Sequence, residues 1–269
     1  MIDLKYYNTG SAANLVEEFY SVSYAKEIVP IKTGIIPMGF SGLSFIYSDN
    51  QYSIQQKNKQ ILKGLTLTGQ FNKSYLMCVD TEGYTCGISF KPTALYKITK
   101  LNLSKYKNKH VDFSSINSKL SKQFEDIFLR YKSDPVNLFK QIELLLSSIS
   151  LFKTKSTIII DKVIQEIHKK EGLLSVLDIL EKVPFGQKTL ETKFKTMIGL
   201  TPGKYIKLQR FLNLMRKFEK EQIDLKDLIY MYDYYDESHF SKDFKLFTDK
   251  TFKKYFNEEY SLIKKALKK

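Results

Sequence analysis

The sequence is short of arginine, cysteine, histidine and long apolar runs, and each shortage narrows what the chain can do. Only Arg130, Arg210 and Arg216 stand beside 40 lysines, so any basic surface is made of lysine rather than of guanidinium forks. The two cysteines, Cys78 and Cys86, have seven residues between them and no histidine nearby. They read as reduced strand residues, not as half of a zinc set. His110 is the only histidine in the first 150 residues, too few for a clustered metal site, so neither a metal nor a cofactor is expected. The most apolar long stretch, IELLLSSISLF at 142–152, is too short to span a bilayer. The first ten residues, MIDLKYYNTG, lack a basic start followed by an apolar core. The expected setting is cytoplasmic and thiol-reducing, away from membranes.

What is present is a chain of 269 residues, 43% apolar and 27% charged, long enough for two folded units. Its formal charge of +14 favours a polyanionic partner, of which nucleic acid is the commonest. Lysine richness alone can also reflect base composition in a genome. The net charges of residues 1–150 and 151–269 are +6 and +8, so charge does not say which half binds.

Rhythm separates the halves better. From residue 21 to 90 the chain runs in short β-branched and aromatic segments, GLSFIYSDN, GLTLTG, SYLMCVD and YTCGISF, broken by glycine or polar turns. These predict strands of an antiparallel sheet system. After FKPTALYKI the period becomes helical: KLSKQFEDIFLRY and PVNLFKQIELLLSSI are amphipathic, the second opening on proline. STIIIDKVIQEIHKKEG follows, with Ser156 as candidate cap and Lys169, Lys170 and Gly172 suiting a helix end, where His168 reads as a partner of the helix dipole. No strand signal appears beyond it. The division is expected at residues 150 to 156: a β-rich unit over 1–150 with helices at its end, and an all-α unit over 151–269.

An internal repeat decides more. TLETKFKTMIGLTPGKY (189–205) lies over HFSKDFKLFTDKTFKKY (239–255) at a constant offset of 50 residues. Leu190 pairs with Phe240, Phe194 with Phe244, Lys195 with Lys245, Thr201 with Thr251, Lys204 with Lys254 and Tyr205 with Tyr255. Each copy has a short helix, a turn and a second helix: SVLDILEKV, with Val176, Leu177, Ile179, Leu180 and Val183 as its apolar positions, then PFGQ and 188–197. The second copy is DLKDLIYMY, then DYYD and 237–247. This is a helix-turn-helix built twice. Between the copies, TPGKYIKLQRFLNLMRKFE predicts a long linker helix capped by Thr201, with Tyr205, Leu208, Phe211, Leu212, Met215 and Phe218 along one side. In each second helix the residues four apart, Leu190 with Phe194 and Phe240 with Phe244, share an inward face. Polar residues fill the other face, as on a helix that lies in a major groove.

These stretches, with TLETKFKTMIGLTPGKYIKLQRF and YYDESHFSKDFKLFTDKTFKKYF covering most of 156–257, resemble the AraC/XylS class of bacterial transcription regulators. The resemblance implies an α+β protein: a β-rich, cupin-like sensory domain, its GISFKP segment at 87–92 ending the β part, then two helix-turn-helix units on a linker helix. It also implies a sequence-specific transcription regulator of double-stranded DNA, with a small-molecule effector, a homodimer and contact with RNA polymerase left open. The base-facing candidates are Gln187, Lys188, Glu191, Thr192, Glu237, Ser238, His239 and Lys242. The phosphate-facing candidates are Lys195, Lys204, Lys207, Lys245 and Lys254. Arg210 falls where the family has arginine in the linker helix. The second copy departs from the family: Asp233 stands at a turn position usually held by glycine, and Asp249 and Phe252 replace the glycine and proline that Gly199 and Pro202 keep.

Four further readings weigh sharp against plain. Asp236, Ser238 and His239 could form a nucleophile set, but neighbours on one helix do not face one another as a triad requires, and no catalytic residue is assigned. The stripe Leu138, Ile142, Leu145, Leu146 and Ile149 suits a dimer helix or, by preference, the first core. Tyr47, Tyr75, Tyr84 and Phe90 could line an effector pocket, with core packing preferred. The rival function is a small-molecule-binding protein or cupin-like enzyme with a degenerate helix-turn-helix half, kept alive by Asp233, Glu237, Asp243 and Asp249.

Overall fold

The computed structural model describes residues 2–55, 58–221, 223–256 and 267. Eight strands form one antiparallel sheet: β1 (Ile2–Tyr7), β2 (Val16–Tyr24), β3 (Ile31–Ile35), β4 (Ser41–Gln55), β5 (Asn58–Thr68), β6 (Tyr75–Val79), β7 (Gly83–Phe90) and β8 (His110–Asp112). The order is β1-β2-β7-β4-β5-β8, with β6 beside β4 and β3 beside β6. The four expected strands correspond to β4–β7. The sheet also starts earlier than residue 21: β1 is an edge strand bearing Asp3 and Lys5, charges that protect an edge and dilute an apolar strand signal.

The long strand β4 bends the sheet. Residues 41–46 pair with β7 and residues 51–54 with β6, while β5 follows the other edge with a register shift between Ile46 and Gln51. Such an irregularity kinks a strand and raises its twist. It brings Ile35, Tyr75 and Met77 of the β3–β6 ribbon to the same cavity as Tyr20, Ser44 and Thr66 of the main sheet.

Period-two alternation then gives the sheet two unlike faces. Phe19, Leu43, Phe45, Leu65, Leu67, Cys86 and Ile88 are buried against α2 (Ser118–Arg130) and α3 (Pro135–Ser148). Phe19 stacks on Phe139 at 4.8 Å and Phe45 on Phe128 at 5.4 Å. Leu138, Ile142 and Leu146 are buried in this core, with Leu145 and Ile149 packed at its edge, so the stripe on α3 closes the core. Neighbouring residues Tyr20, Ser44, Thr66, Thr68, Thr85 and Ser89 point to the other face and line the cavity. Cys78 and Cys86 are free and buried on β6 and β7.

The short helix α1 (Ala94–Thr99) leaves the sheet, and α4 (Lys155–Lys169) opens the helical part. Its cap is Thr154 rather than Ser156. Thr154 Oγ1 accepts from the Thr157 amide at 3.2 Å, and the Thr154 amide donates to Thr157 Oγ1 at 2.8 Å. Ser156 lies inside the first turn, where its hydroxyl accepts from Lys193 Nζ at 2.8 Å. The remaining helices are α5 (Val176–Leu180), α6 (Gln187–Ile198), α7 (Pro202–Glu221), α8 (Leu225–Met231), α9 (Glu237–Thr248) and α10 (Phe252–Phe256). They share a second core in which Tyr205, Leu208, Phe211, Leu212 and Met215 of α7 are fully buried. Phe218 is half-buried at its edge. Of the apolar positions assigned to the first short helix, Ile179 is buried, Val176, Leu180 and Val183 pack at the edge of this core, and Leu177 is 68% exposed, off the face that they share.

Candidate functional site

Two helix-turn-helix units hang on α7. In the first, Ile179 of α5 shares a core with Leu190 and Phe194 of α6, both fully buried. In the second, α8 packs beside α9, whose Phe240 and Phe244 are equally inward. Phe244 also meets Phe211 of α7 edge-on at 5.9 Å.

The opposite faces hold the sequence-derived candidates at the surface. On α6, Gln187, Lys188, Thr192 and Lys195 are exposed and Glu191 is half-buried. Gln187 Nε2 donates to the Glu191 carboxylate at 3.3 Å, and Lys195 Nζ lies 3.5 Å from it, so that acid is already neutralised within its own helix. On α9, Glu237, Ser238, Lys242 and Lys245 are exposed, while His239 is half-buried, edge-on to Tyr234 at 5.2 Å. Lys204 and Lys207 on α7 and Lys254 on α10 are exposed. Lys207 Nζ sits 3.5 Å from Asp243, a carboxylate only 4% exposed.

Of the four acids that made the second unit look worn, Asp243, Asp233 and Asp249 have structural roles and Glu237 is exposed. The Asp236 carboxylate caps α9, accepting from the His239 amide at 2.7 Å, which commits it locally. Asp243 lies three positions after Phe240 and therefore turns inward, toward Lys207 and the Tyr234 hydroxyl. That spacing was the signal for its burial. Asp233 and Asp249 adopt φ of 54° and 59°, the left-handed conformation at which the family pattern has glycine. Arg210 sits over the Tyr234 ring at 5.1 Å, bracing the second turn against α7.

A cavity of about 190 Å³ lies on the inner face of the sheet. Most of its wall is apolar, including Val22, Ile36, Ile46, Leu62 and Phe71. Two pairs of polar groups meet on it: Tyr20 Oη lies 2.8 Å from Ser44 Oγ, and Thr68 Oγ1 lies 3.0 Å from His110 Nδ1. His110 Nε2 is buried with no hydrogen-bond partner. Burial pushes the His110 pKa down to about 4 and that of Tyr20 up to about 12. Of the four aromatics proposed from sequence, only Tyr75 lines this cavity. Tyr47 and Tyr84 stack at 5.5 Å on the helix side, where the Tyr47 hydroxyl donates to the Phe128 carbonyl, and Phe90 is core.

A second, polar cleft lies where the sheet meets α7 and holds Glu17, His168, Tyr205, Gln209 and Arg216. His168 is not a helix-end cation: its Nε2 is 2.8 Å from Tyr205 Oη, and burial lowers its pKa. The cavity and the cleft share Glu18, Met38 and Phe40. The segment between β3 and β4 is thus a common wall. Ile36 is buried in the helical core, and Gly39, at φ of 85°, lies so close to the Gln209 amide that a Cβ would strike it. Lys97 and Thr93 both reach Asp161 on α4, a further tie between the two halves. Among the described residues no cluster of three or more His, Cys, Asp or Glu could hold a metal, and no helix is long and apolar enough to cross a membrane.

Paired helix-turn-helix units on one linker helix follow an N-terminal antiparallel sheet, and that arrangement defines the class of the fold. Residues 179–258 match the family model described as a helix-turn-helix domain, and they carry the AraC-type form of it. Residues 11–112 match a domain of unknown function (DUF6597). Among solved structures, ToxT from Vibrio cholerae is similar over 89% of this chain and 97% of its own, with 11% identity and a TM-score of 0.50, a likeness of fold. Unsaturated fatty acid bound ToxT from strain SCE256 of the same organism covers 94% of each chain at 15% identity and a TM-score of 0.44. The AraC-like transcriptional activator CuxR covers 80% of each at 11% identity and a TM-score of 0.31. None of the curated proteins matches the chain.

Proposed function

We propose that the chain is a sequence-specific DNA-binding regulator whose 151–269 half reads the duplex and whose 1–150 half holds a small-molecule effector. The observation that carries this is the pair of helices α6 and α9, each anchored inward by two large side chains and each presenting an uncovered polar face. Lys188, Thr192, Glu237, Ser238, His239 and Lys242 face base edges, with Gln187 and Glu191 beside them. Lys195, Lys204, Lys207, Lys245 and Lys254 face phosphates. The absence of arginine from both helices makes phosphate contact the larger share of affinity. The site lies in the cytoplasm, with a second copy of the chain and RNA polymerase as partners in regulation.

The effector occupies the sheet cavity, and its presence is felt at α7 through the shared wall at 36–40. The rival in which the helical half has lost DNA binding is disfavoured by the second unit, where three of the four suspicious acids are an inward brace and two left-handed turn residues. Fluorescence anisotropy with DNA from upstream of the protein's own gene tests the proposal. Binding is expected to weaken steeply with salt, and Lys188→Ala and Lys242→Ala are each expected to weaken it about tenfold. No binding at low salt, or binding indifferent to both substitutions, would sink it.

A further inference from the structure

Two loops of the first half of the chain meet the first helix-turn-helix unit where α6 ends and α7 begins. One joins β5 to β6 at residues 69–74, and the other, residues 103–109, leads into β8. They are tied to each other. The Asn72 amide donates to Asn108 Oδ1 at 2.8 Å, Asn108 Nδ2 donates to Asn72 Oδ1 at 2.7 Å, and the Asn108 amide donates to the Gln70 carbonyl at 3.1 Å. Gly69 runs so close to the Tyr106 carbonyl that a Cβ would strike it. The joined loops then abut Gly199, where a Cβ would lie 3.2 Å from Gln70 Cβ and 3.3 Å from the Leu103 carbonyl oxygen. The two loops and the start of α7 form one block.

Each part of that block carries a lysine. Lys73 is exposed three residues after Gln70, Lys107 is half-buried four residues after Leu103, and Lys204 is exposed five residues after Gly199. The Lys107 ammonium has no hydrogen-bond partner and is not sealed from solvent. Burial pushes its pKa down, and the charges of Lys204 and Lys73 push it further, with no carboxylate opposing them. Among the described residues none of the three lysines is in an ion pair. Like charges gathered on a fixed framework without a counter-charge make a patch that a polyanion neutralises. Lys204 already belongs to the phosphate-facing set proposed above. A duplex carries one negative charge per roughly 1.7 Å of its axis, so a strand held at Lys204 has further phosphates to offer the lysines beside it.

We infer that Lys73 and Lys107, both on the sheet half, contact phosphates of the same duplex that the helix-turn-helix units read, extending the basic track that begins at Lys204. This rests on the DNA-binding reading proposed above. The test is fluorescence anisotropy of the full chain with DNA from upstream of its own gene and with a scrambled duplex, across a salt series. Lys73→Ala and Lys107→Gln are each expected to weaken binding about fivefold at 0.15 M salt and to make the slope of log affinity against log salt shallower by about 0.9. Both duplexes should lose alike, because phosphate contacts carry no sequence information. Lys107→Arg is expected to keep the wild-type slope. Lys140→Ala removes the same charge from an exposed position on α3 and is expected to change neither affinity nor slope. Should Lys107→Gln fail to fold, Lys73→Ala, at an exposed loop position, decides the matter alone. Slopes and affinities no different from those of Lys140→Ala, or a loss confined to one of the two duplexes, would overturn the inference. If Lys188→Ala weakens binding while Lys73→Ala and Lys107→Gln do not, this inference alone fails. If the wild-type chain binds neither duplex at low salt, the regulator reading fails and takes this inference with it.

Discussion

Exchanging the helix-ending residues of the two repeat copies, Gly199→Asp and Asp249→Gly, is expected to give effects of opposite sign and unequal size. Both positions end a recognition helix with positive φ, and each amide donates to the carbonyl four residues back, at 3.0 Å for Gly199 and 2.9 Å for Asp249. Their surroundings differ. Gly199 is buried, at φ of 95°, and a Cβ there would lie 3.2 Å from Gln70 Cβ and 3.3 Å from the Leu103 carbonyl oxygen, both in the first half of the chain. Asp249 is exposed, at φ of 59°. In Gly199→Asp the backbone costs about 1–2 kcal/mol, the carboxylate gains an unfavourable place at a helix C-terminus, and burial adds at least about 1 kcal/mol. The sum is about 3 kcal/mol. In Asp249→Gly, relief of the left-handed conformation and of the dipole repulsion slightly outweighs glycine's larger unfolded entropy, for a net gain of about 0.5 kcal/mol. Urea unfolding followed by helical circular dichroism measures both, and a thermal melt should show Gly199→Asp about 6–12 °C below wild type. If Gly199→Asp costs less than about 1 kcal/mol, or if Asp249→Gly destabilises comparably, the account of the repeat's asymmetry is wrong.

Two further outcomes follow from the geometry. With the His110 pKa near 4 folded and 6.5 unfolded, the unfolded chain binds more protons between those values, so stability is full above pH 6.5 and falls by roughly 3 kcal/mol as the pH drops to about 4. His110→Leu should flatten that slope in pH-dependent denaturation, and an unchanged slope would remove His110 as its source. Phe244→Ala should cost about 3–5 kcal/mol, whereas the adjacent, exposed Lys245→Ala should leave stability within about 0.5 kcal/mol yet weaken DNA binding, a contrast read by denaturation and anisotropy side by side.

The helical half was legible because its signals are local and doubled. The 50-residue offset fixed the two units, and the four-residue spacing of Leu190 with Phe194 and Phe240 with Phe244 fixed their inward faces. Where a side chain's role depends on a partner far along the chain, the sequence was silent. Ser156 looked like a cap because nothing local shows that Lys193 would take its hydroxyl. His168 looked like a helix-end cation because Tyr205, its hydrogen-bond partner in a buried setting, is 37 residues away. The cavity was the least legible feature. Its polar groups, Ser44, Thr66, Thr68, Thr85 and Ser89, are the ordinary alternating polar residues of strands, and only the bend in β4 turns that face inward.

The same distinction explains why the two copies diverged where they did. The first unit is braced against the sheet half: Gly199 meets Gln70 and Leu103, and its neighbouring loops have no room for a side chain there. The second unit is braced on α7, through Phe211 on Phe244 and Phe247, Lys207 on Asp243 and Arg210 over Tyr234. At its helix end Asp249 is exposed, and an aspartate that tolerates the left-handed conformation satisfies the same backbone bond that glycine makes in the first copy. The acidic substitutions in the second unit are therefore what an uncrowded turn permits, and they leave α9 with a polar face and two inward side chains, Phe240 and Phe244, as α6 has with Leu190 and Phe194.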